Sequence, residues 1–427
     1  MTLKPIDLRD PAARTKMATV DIALNFFLFT PLLVLHYECT TIIVDYLFLS
    51  WFPWFGAVLL LAIGMGGQFL LTFYQNRIPA LIPEHIRGDK MYLLIIARLY
   101  TLLLVTINIC HITAITFFFT NITGGAWTST IKACTTSTLA LWAFKAGRNT
   151  VCAPLYLTID HDTDVDNFHE FSTVFRSQQK ESQESLVDSL VTTIVVYSFI
   201  HLHWAAVSGV QDILFIPSLP FISMIISLAF GMAGCALLIF FQHPACDLSK
   251  DIEKENDVKR IVFEDMFMLA ASVAVITYWR GVGLCFDFFM GIFPLYWRGF
   301  DVTALVGWIM SYLMLTLVHL TNSLPFKGCE LDGELNEGQG CLFTTAYFLE
   351  LLADDKKQQQ QKDSNVVIVP SDKISEIENV ETLIPTPSGE QQGIKQRHLL
   401  NNGAPEATPV KEKTKTPETA EDHLKQA

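Results

Sequence analysis

Eight apolar blocks of about 20 residues or more, separated by short polar gaps, dominate this chain. About 20 residues of helix cross the hydrocarbon core of a bilayer, so each block reads as a transmembrane helix. The expected spans are Val20 to Ser50, Trp54 to Tyr74, Met91 to Thr120, Trp127 to Lys145, Leu186 to Phe215, Phe221 to Gln242, Met266 to Phe293 and Val302 to Thr321. The chain is 51% apolar and 17% charged, against about 25% charged in ordinary soluble domains. That composition excludes a soluble enzyme. The net charge of -13 and the apolar blocks also exclude nucleic acid as a partner, leaving the lipid bilayer as the first one. The odd-numbered spans are longer than a bilayer requires, so they should tilt, kink or project, and Pro31 predicts a kink in the first.

Lys and Arg fall in alternate gaps. The N-terminal stretch holds Lys4, Arg9, Arg14 and Lys16, and the second, fourth and sixth gaps are also basic; the first, third and fifth have none and the seventh only Arg298. Basic loops stay on the cytosolic side, which predicts cytosolic termini. The acceptor triplet Asn121-Ile122-Thr123 then falls outside, as a candidate glycosylation site at Asn121. The expected organisation is a cytosolic N-terminus (1–19), a four-helix half (20–145), a cytosolic linker (146–185), a second four-helix half (186–321), a juxtamembrane segment (322–353) and a disordered cytosolic tail (354–427). Within the juxtamembrane segment, Leu342, Phe343, Tyr347, Phe348 and Leu351 recur at helical spacing, predicting an amphipathic helix over Cys341 to Leu352 against the inner leaflet. The tail is too polar to bury a core.

The two halves repeat. Laying Asp45 to Gln75 over Asp212 to Gln242, offset by 167 residues without gaps, gives 13 identities in 31 positions. About three would arise by chance between unrelated apolar stretches. Gly64-Met65-Gly66-Gly67 answers Gly231-Met232-Ala233-Gly234, and Gly64, Gly67, Gly231 and Gly234 are small enough for close helix packing. A second periodicity places an aromatic eight residues before an aspartate: Tyr37 and Asp45, Trp204 and Asp212, Trp279 and Asp287. Proline follows each aspartate at Pro53, Pro220 and Pro294, so the expected unit is a helical hairpin of about 75 residues used four times. The third span lacks the aromatic and the acid. The expected fold is an all-α polytopic membrane protein, eight transmembrane helices built from duplicated hairpins in two parallel four-helix halves.

Charges inside a bilayer are expensive, so each is a functional candidate. Arg280, beside Trp279 and Gly281, is equivalent by the repeat to Glu38, which predicts a Glu38–Arg280 ion pair flanked by Asp45 and Asp287. Such a pair either locks repeat packing or forms a functional centre. The three aspartates either cap neighbouring hairpins or form a cation-attracting ring. Histidines 36, 111, 201, 203 and 319 lack metal-ligand spacing and read as core or interface residues. Asp160 to Asp166 resembles the start of a calcium loop, but Val165 and Phe171 occupy positions where glycine and a bidentate glutamate belong. No metal, cofactor or catalytic set is expected.

The element Tyr278-Trp279-Arg280-Gly281 with Asp287, and the same frame at Tyr37 and Trp204, resembles the fuseless family of multipass proteins over roughly residues 17–325. Glu38-Cys39 and Ala205-Ala206 replace Arg-Gly in the first and fifth spans. The resemblance implies an invertebrate neuronal protein of the presynaptic plasma membrane. Such a protein supports voltage-gated calcium channels and transmitter release, with those channels or active-zone proteins as partners. A small-molecule or ion transporter with a central charged site is the alternative. A solvent-filled cavity around Glu38, Arg280 and an aspartate would favour transport; a packed centre would favour the interaction role.

Overall fold

The computed structural model describes residues 11–83, 89–160, 168, 170–176, 182–292, 296–297, 300–324, 329–333, 339–345 and 347. The acids of the acidic loop beyond Asp160 and the tail from Asp354 lie outside the described residues. Six helices are long and apolar enough to cross a membrane: α1 (Lys16–Leu49), α2 (Pro53–Phe73), α3 (Lys90–Thr123), α5 (Gln183–Leu214), α6 (Pro220–Glu255) and α7 (Asp257–Ile292). Between them lies α4 (Trp127–Ala143), 17 residues rich in Ser and Thr. After them comes the shorter apolar α8 (Val302–Leu317), joined to α7 by an antiparallel ladder of two-residue strands.

The first helix passes through Pro31 by way of a π-helical turn at Asn25–Phe29. Proline has no N–H to donate back to the preceding turn, and the widened turn absorbs the loss. Helices α6 and α7 outrun the hydropathy limits expected for them, ending and starting near Asn256 rather than at Gln242 and Met266. At about 1.5 Å per residue each is roughly 54 Å long, well beyond a bilayer's needs. Their polar ends continue as helix because ion pairs at helical spacing support them, such as Lys250–Asp247 and Lys254–Asp251.

The packed pairs are not the expected hairpins. Among the described residues, α2 packs along α3, α4 along α5, α6 along α7, and α8 along α1. The first and second helices meet mainly at their turn. The odd helices touch in a closed cycle, α1 to α3 to α5 to α7 and back to α1, with the even helices outside them. Glycine explains two of the close pairs. A Cβ on Gly64 would stand 2.6 Å from the His111 backbone, and one on Gly231 would stand 2.4 Å from that of Tyr278. Both contacts obey the 167-residue offset. Gly67 against Ile107 and Gly234 against Ala274 extend the same two seams.

The segment after α4 is part of the core. Val151, Ala153, Leu155, Leu157 and Ile159 are all buried in the interior, on either side of a turn in which Leu155 and Tyr156 donate back to the Cys152 carbonyl. The start of the juxtamembrane segment also joins the core. Gln339–Cys341 forms a 3-10 turn and residues 342–345 are not helical. Phe343 and Tyr347 are buried among bundle residues rather than laid on lipid. Residues 342–345 are held out of a helix by bonds to the bundle, with Leu157 donating to the Thr344 carbonyl and Phe343 to Gln242 Oε1, whereas Tyr347 is helical and 348–352 lie outside the described residues.

Candidate functional site: a two-chambered centre

Each inner helix sends one residue to the centre at one level: Tyr37 from α1, Ile112 from α3, Trp204 from α5 and Trp279 from α7. All four line the cavities on both sides, so they form the floor between them. Tyr37 and Trp279 meet edge to face at 5.9 Å between ring centroids, and Trp204 and Trp279 at 5.4 Å. The indoles are held from the linker: Trp204 Nε1 donates to the Thr150 carbonyl at 3.0 Å and Trp279 Nε1 to that of Ala153 at 2.6 Å. The aromatic frame therefore marks a real level in the bundle. Ile112, 167 residues before Trp279, takes the place where the third span has no aromatic.

The residue before each floor position is tied to a neighbouring helix. His36 Nδ1 meets Ser311 Oγ at 3.2 Å, His111 Nδ1 meets Gln68 Oε1 at 2.9 Å, and His203 Nδ1 meets Thr138 Oγ1 at 3.2 Å. At the fourth position the Tyr278 hydroxyl donates to the Phe26 carbonyl. Buried imidazoles that satisfy hydroxyl and amide partners are interface residues, as their spacing predicts. His201 stacks edge on against His111 at 4.7 Å.

On the side of the hairpin turns the floor opens into a chamber of about 550 Å³. Glu38, Asp212 and Arg280 line it, with the hydroxyl residues Thr116, Thr120 and Ser208. The expected Glu38–Arg280 pair is not formed. Arg280 Nε instead bonds Asp212 Oδ1 at 2.8 Å, its Nη1 donates to Ser227 Oγ at 2.6 Å and its Nη2 to Ser223 Oγ at 2.9 Å. The guanidinium also lies 5.8 Å over the Phe215 ring. One carboxylate, two hydroxyls and a ring face occupy Arg280 and tie α5, α6 and α7 together. Sequence equivalence gives a depth for a charge but not its neighbour; the serines of α6 turn this arginine away from α1. Gly281 assists by letting α7 approach Leu228, whose nitrogen would lie 2.6 Å from a Cβ there.

Glu38 has no hydrogen-bonding or ion-pair partner among the described residues. Its Oε1 would lie 2.9 Å from a Cβ on Gly283, so the absence of a side chain at Gly283 makes room for it. The like charges that act on it are Asp287 and Asp45. Of the three repeated aspartates, Asp212 serves Arg280, while Asp45 and Asp287 cap no helix among the described residues. A cation ring is also not formed, since no three His, Cys, Asp or Glu of the described residues converge on one point. Helix starts among the described residues are capped instead by Asp89 on Met91, Ser182 on Ser185, Asn256 on Val258 and Lys259, and Asp301 on Thr303. Asn121 sits in the last turn of α3 and donates to the Phe117 carbonyl at 2.8 Å.

Across the floor a narrower cavity of about 170 Å³ is lined by Asn108, His201, Arg148, Asn149, Tyr156, Asn322 and Glu330 among others. Two matching clamps enclose it. After α4 the chain turns through Lys145 (φ 52°) into Gly147–Thr150, whose first amides donate to Asp332 at 2.6 and 3.1 Å. After α8 it turns through His319 (φ 54°) into Thr321–Ser323, whose amides donate to Asp160 at 2.8 and 2.7 Å. Arg98 pairs with Asp160 at 2.5 Å. Asp160, the first acid of the calcium-like loop, is thus committed to an arginine and a helix start. Gln75 Oε1 accepts from Phe171 N at 2.7 Å as Gln242 Oε1 accepts from Phe343 N at 3.1 Å. These clamps went unpredicted, although the answering residues Gln75 and Gln242 lie at the end of the repeat.

An all-helical bundle with an inner cycle of helices, an apolar outer surface and central chambers that mix apolar walls with a few polar groups defines a multi-pass membrane protein. Within that class the chain belongs to the Fuseless family, whose family model matches residues 16–324. No curated protein and no solved structure matches the chain.

Proposed function

We propose that this protein has eight spans in two parallel four-helix halves, and that its centre binds and passes a small polar solute. The observation that carries this reading is the chamber of about 550 Å³ around Glu38, Asp212 and Arg280, separated by a one-residue-thick floor from a second cavity. Polar groups facing a cavity at membrane depth are characteristic of solute pathways, and parallel repeats are common among carriers. The floor of Tyr37, Ile112, Trp204 and Trp279 acts as the closed barrier. No acid, base and nucleophile set is assigned to the chamber, so the reading is of a binding and transport protein, not an enzyme.

A second reading is favoured by membership of the Fuseless family: a presynaptic plasma-membrane protein that supports voltage-gated calcium channels through protein contacts, with both termini cytosolic. Two measurements on the full chain separate the readings. Liposomes carrying the purified protein are screened with radiolabelled small polar solutes, and proximity labelling is performed at nerve terminals. Saturable uptake, with a raised passive leak in Ile112→Ala because the floor loses a side chain, supports transport. Channel subunits among the neighbours, without uptake or leak, overturn it in favour of the contact role.

A further inference from the structure

The chamber next to the floor also indicates the charge its occupant carries. Three ionisable groups besides the floor's Tyr37 line it: Glu38, Asp212 and Arg280. Arg280 is consumed by Asp212 and by the hydroxyls of Ser223 and Ser227, so this trio leaves one carboxylate over. That carboxylate is Glu38, which accepts from nothing among the described residues and on which the like charges Asp287 and Asp45 act. An ionised carboxylate withdrawn from water costs several kcal/mol unless a positive charge or donors meet it. The missing partner is therefore a cation delivered from the chamber.

The rest of the lining selects the kind of cation. Tyr37, Trp204 and Trp279 stand edge to face in the floor at centroid distances of 5.4 to 5.9 Å; all three line the chamber with Glu38, and Tyr37 is its neighbour in sequence. Aromatic faces attract ammonium groups and solvate apolar carbon, and clusters of such rings serve as cages for organic cations. A bare divalent ion needs six or more oxygen ligands, and one carboxylate over aromatic rings does not supply them. The volume of about 550 Å³ lies in the range of small-molecule sites.

We propose that the chamber binds a small organic cation, a protonated amine with an apolar body, its ammonium on Glu38 and its body against Tyr37, Trp204 and Trp279. This rests on the reading of the chamber as a solute site. It is tested by equilibrium binding rather than uptake, so the two can fail separately.

The purified full chain in detergent is titrated with three probes of one shape: phenethylammonium, neutral 2-phenylethanol and anionic phenylacetate. Tryptophan fluorescence and thermal stabilisation are the readouts. The expected result is saturable binding of phenethylammonium at least tenfold tighter than the alcohol, with phenylacetate weakest. Glu38→Gln should abolish that preference while Asp287→Asn, at a neighbouring acid outside the chamber lining, keeps it. Equal affinity for amine and alcohol, preference for the anion, or an unchanged preference in Glu38→Gln overturns the proposal. The ranking in the unsubstituted protein decides the matter even if Glu38→Gln does not fold. Amine binding without uptake leaves the site standing and removes the transport reading; uptake confined to anions removes the amine assignment and leaves transport.

Discussion

Replacing one of two neighbouring glycines in α2 by alanine should have opposite effects on stability. A Cβ at Gly64 would lie 2.6 Å from the His111 N, Cα and Cβ atoms, whereas one at Gly66 would meet nothing within 4 Å. Ordinary carbon contacts begin near 3.5 Å, so Gly64→Ala requires α2 and α3 to part by about 1 Å, and backbone atoms cannot rotate away as a side chain could. Overpacking of this kind costs about 1–3 kcal/mol. The gain from replacing glycine in a helix interior is about 1 kcal/mol, which offsets part of that cost at Gly64 and stands alone at Gly66. The two variants should therefore differ by roughly 1–3 kcal/mol, with Gly66→Ala the more stable. Gly231→Ala, 2.4 Å from Tyr278 N, should behave like Gly64→Ala. Thermal unfolding of the purified protein in one detergent, followed by tryptophan fluorescence, measures the difference. At roughly 1.5 °C per kcal/mol for a folded region of about 300 residues, the gap amounts to about 1.5–4.5 °C. Equal midpoints for Gly64→Ala and Gly66→Ala would refute the close approach of α2 to α3.

The Asp160 clamp should be costly to remove. Asp160→Ala leaves Arg98 without its 2.5 Å carboxylate and two amides without an acceptor, a loss of about 3–5 kcal/mol, read as a lower midpoint in the same assay; a shift under one degree would contradict the clamp. The Arg280 pair predicts a specific rescue. Arg280→Asp destabilises alone and recovers in part with Asp212→Arg but not with Glu38→Arg; recovery through position 38 would restore the pairing that the structure rejects.

Hydropathy alone located the helices to within a few residues where an apolar block met a turn, as at Pro53–Phe73. It missed the outer ends of α6 and α7, since hydropathy registers where lipid stops and not where i to i+3 ion pairs keep a helix going, as at the end of α6. The aromatic periodicity reads in the sequence only as a repeat; its three rings share one level at the centre because one face of each inner helix meets its equivalents. The charge partner was not legible. Glu38 and Arg280 share a position in the repeat, but the choice between α1 and α5 rests with Ser223 and Ser227, whose proximity depends on how α6 packs against α7. The clamps were illegible for a different reason: Asp160 and Asp332 act on turns 161 and 185 residues away in sequence, and a polar gap in a hydropathy profile looks solvated whether or not it folds back.

The clamps carry one more consequence, for how the halves depend on each other. The turn after α4, in the first half, is closed by Asp332, which follows the second half; the turn after α8 is closed by Asp160, which follows the first. Leu157 donates to Thr344, and Asn149 donates to the Glu330 carbonyl at 2.8 Å, so the two segments cross rather than each sealing its own half. Either half alone would leave a helix start without its carboxylate and expose the row from Val151 to Ile159 or its partners Phe343 and Tyr347. Unpaired backbone amides and bare apolar surface favour aggregation. A chain cut between Arg176 and Ser182 should therefore fold only when both fragments are co-expressed, the pair co-purifying through one affinity tag and eluting at the volume of the intact protein. Each fragment alone should elute as aggregate. A monodisperse single fragment with a native-like unfolding transition would show that the crossing is dispensable, and that the halves are independent bundles meeting only along their inner helices.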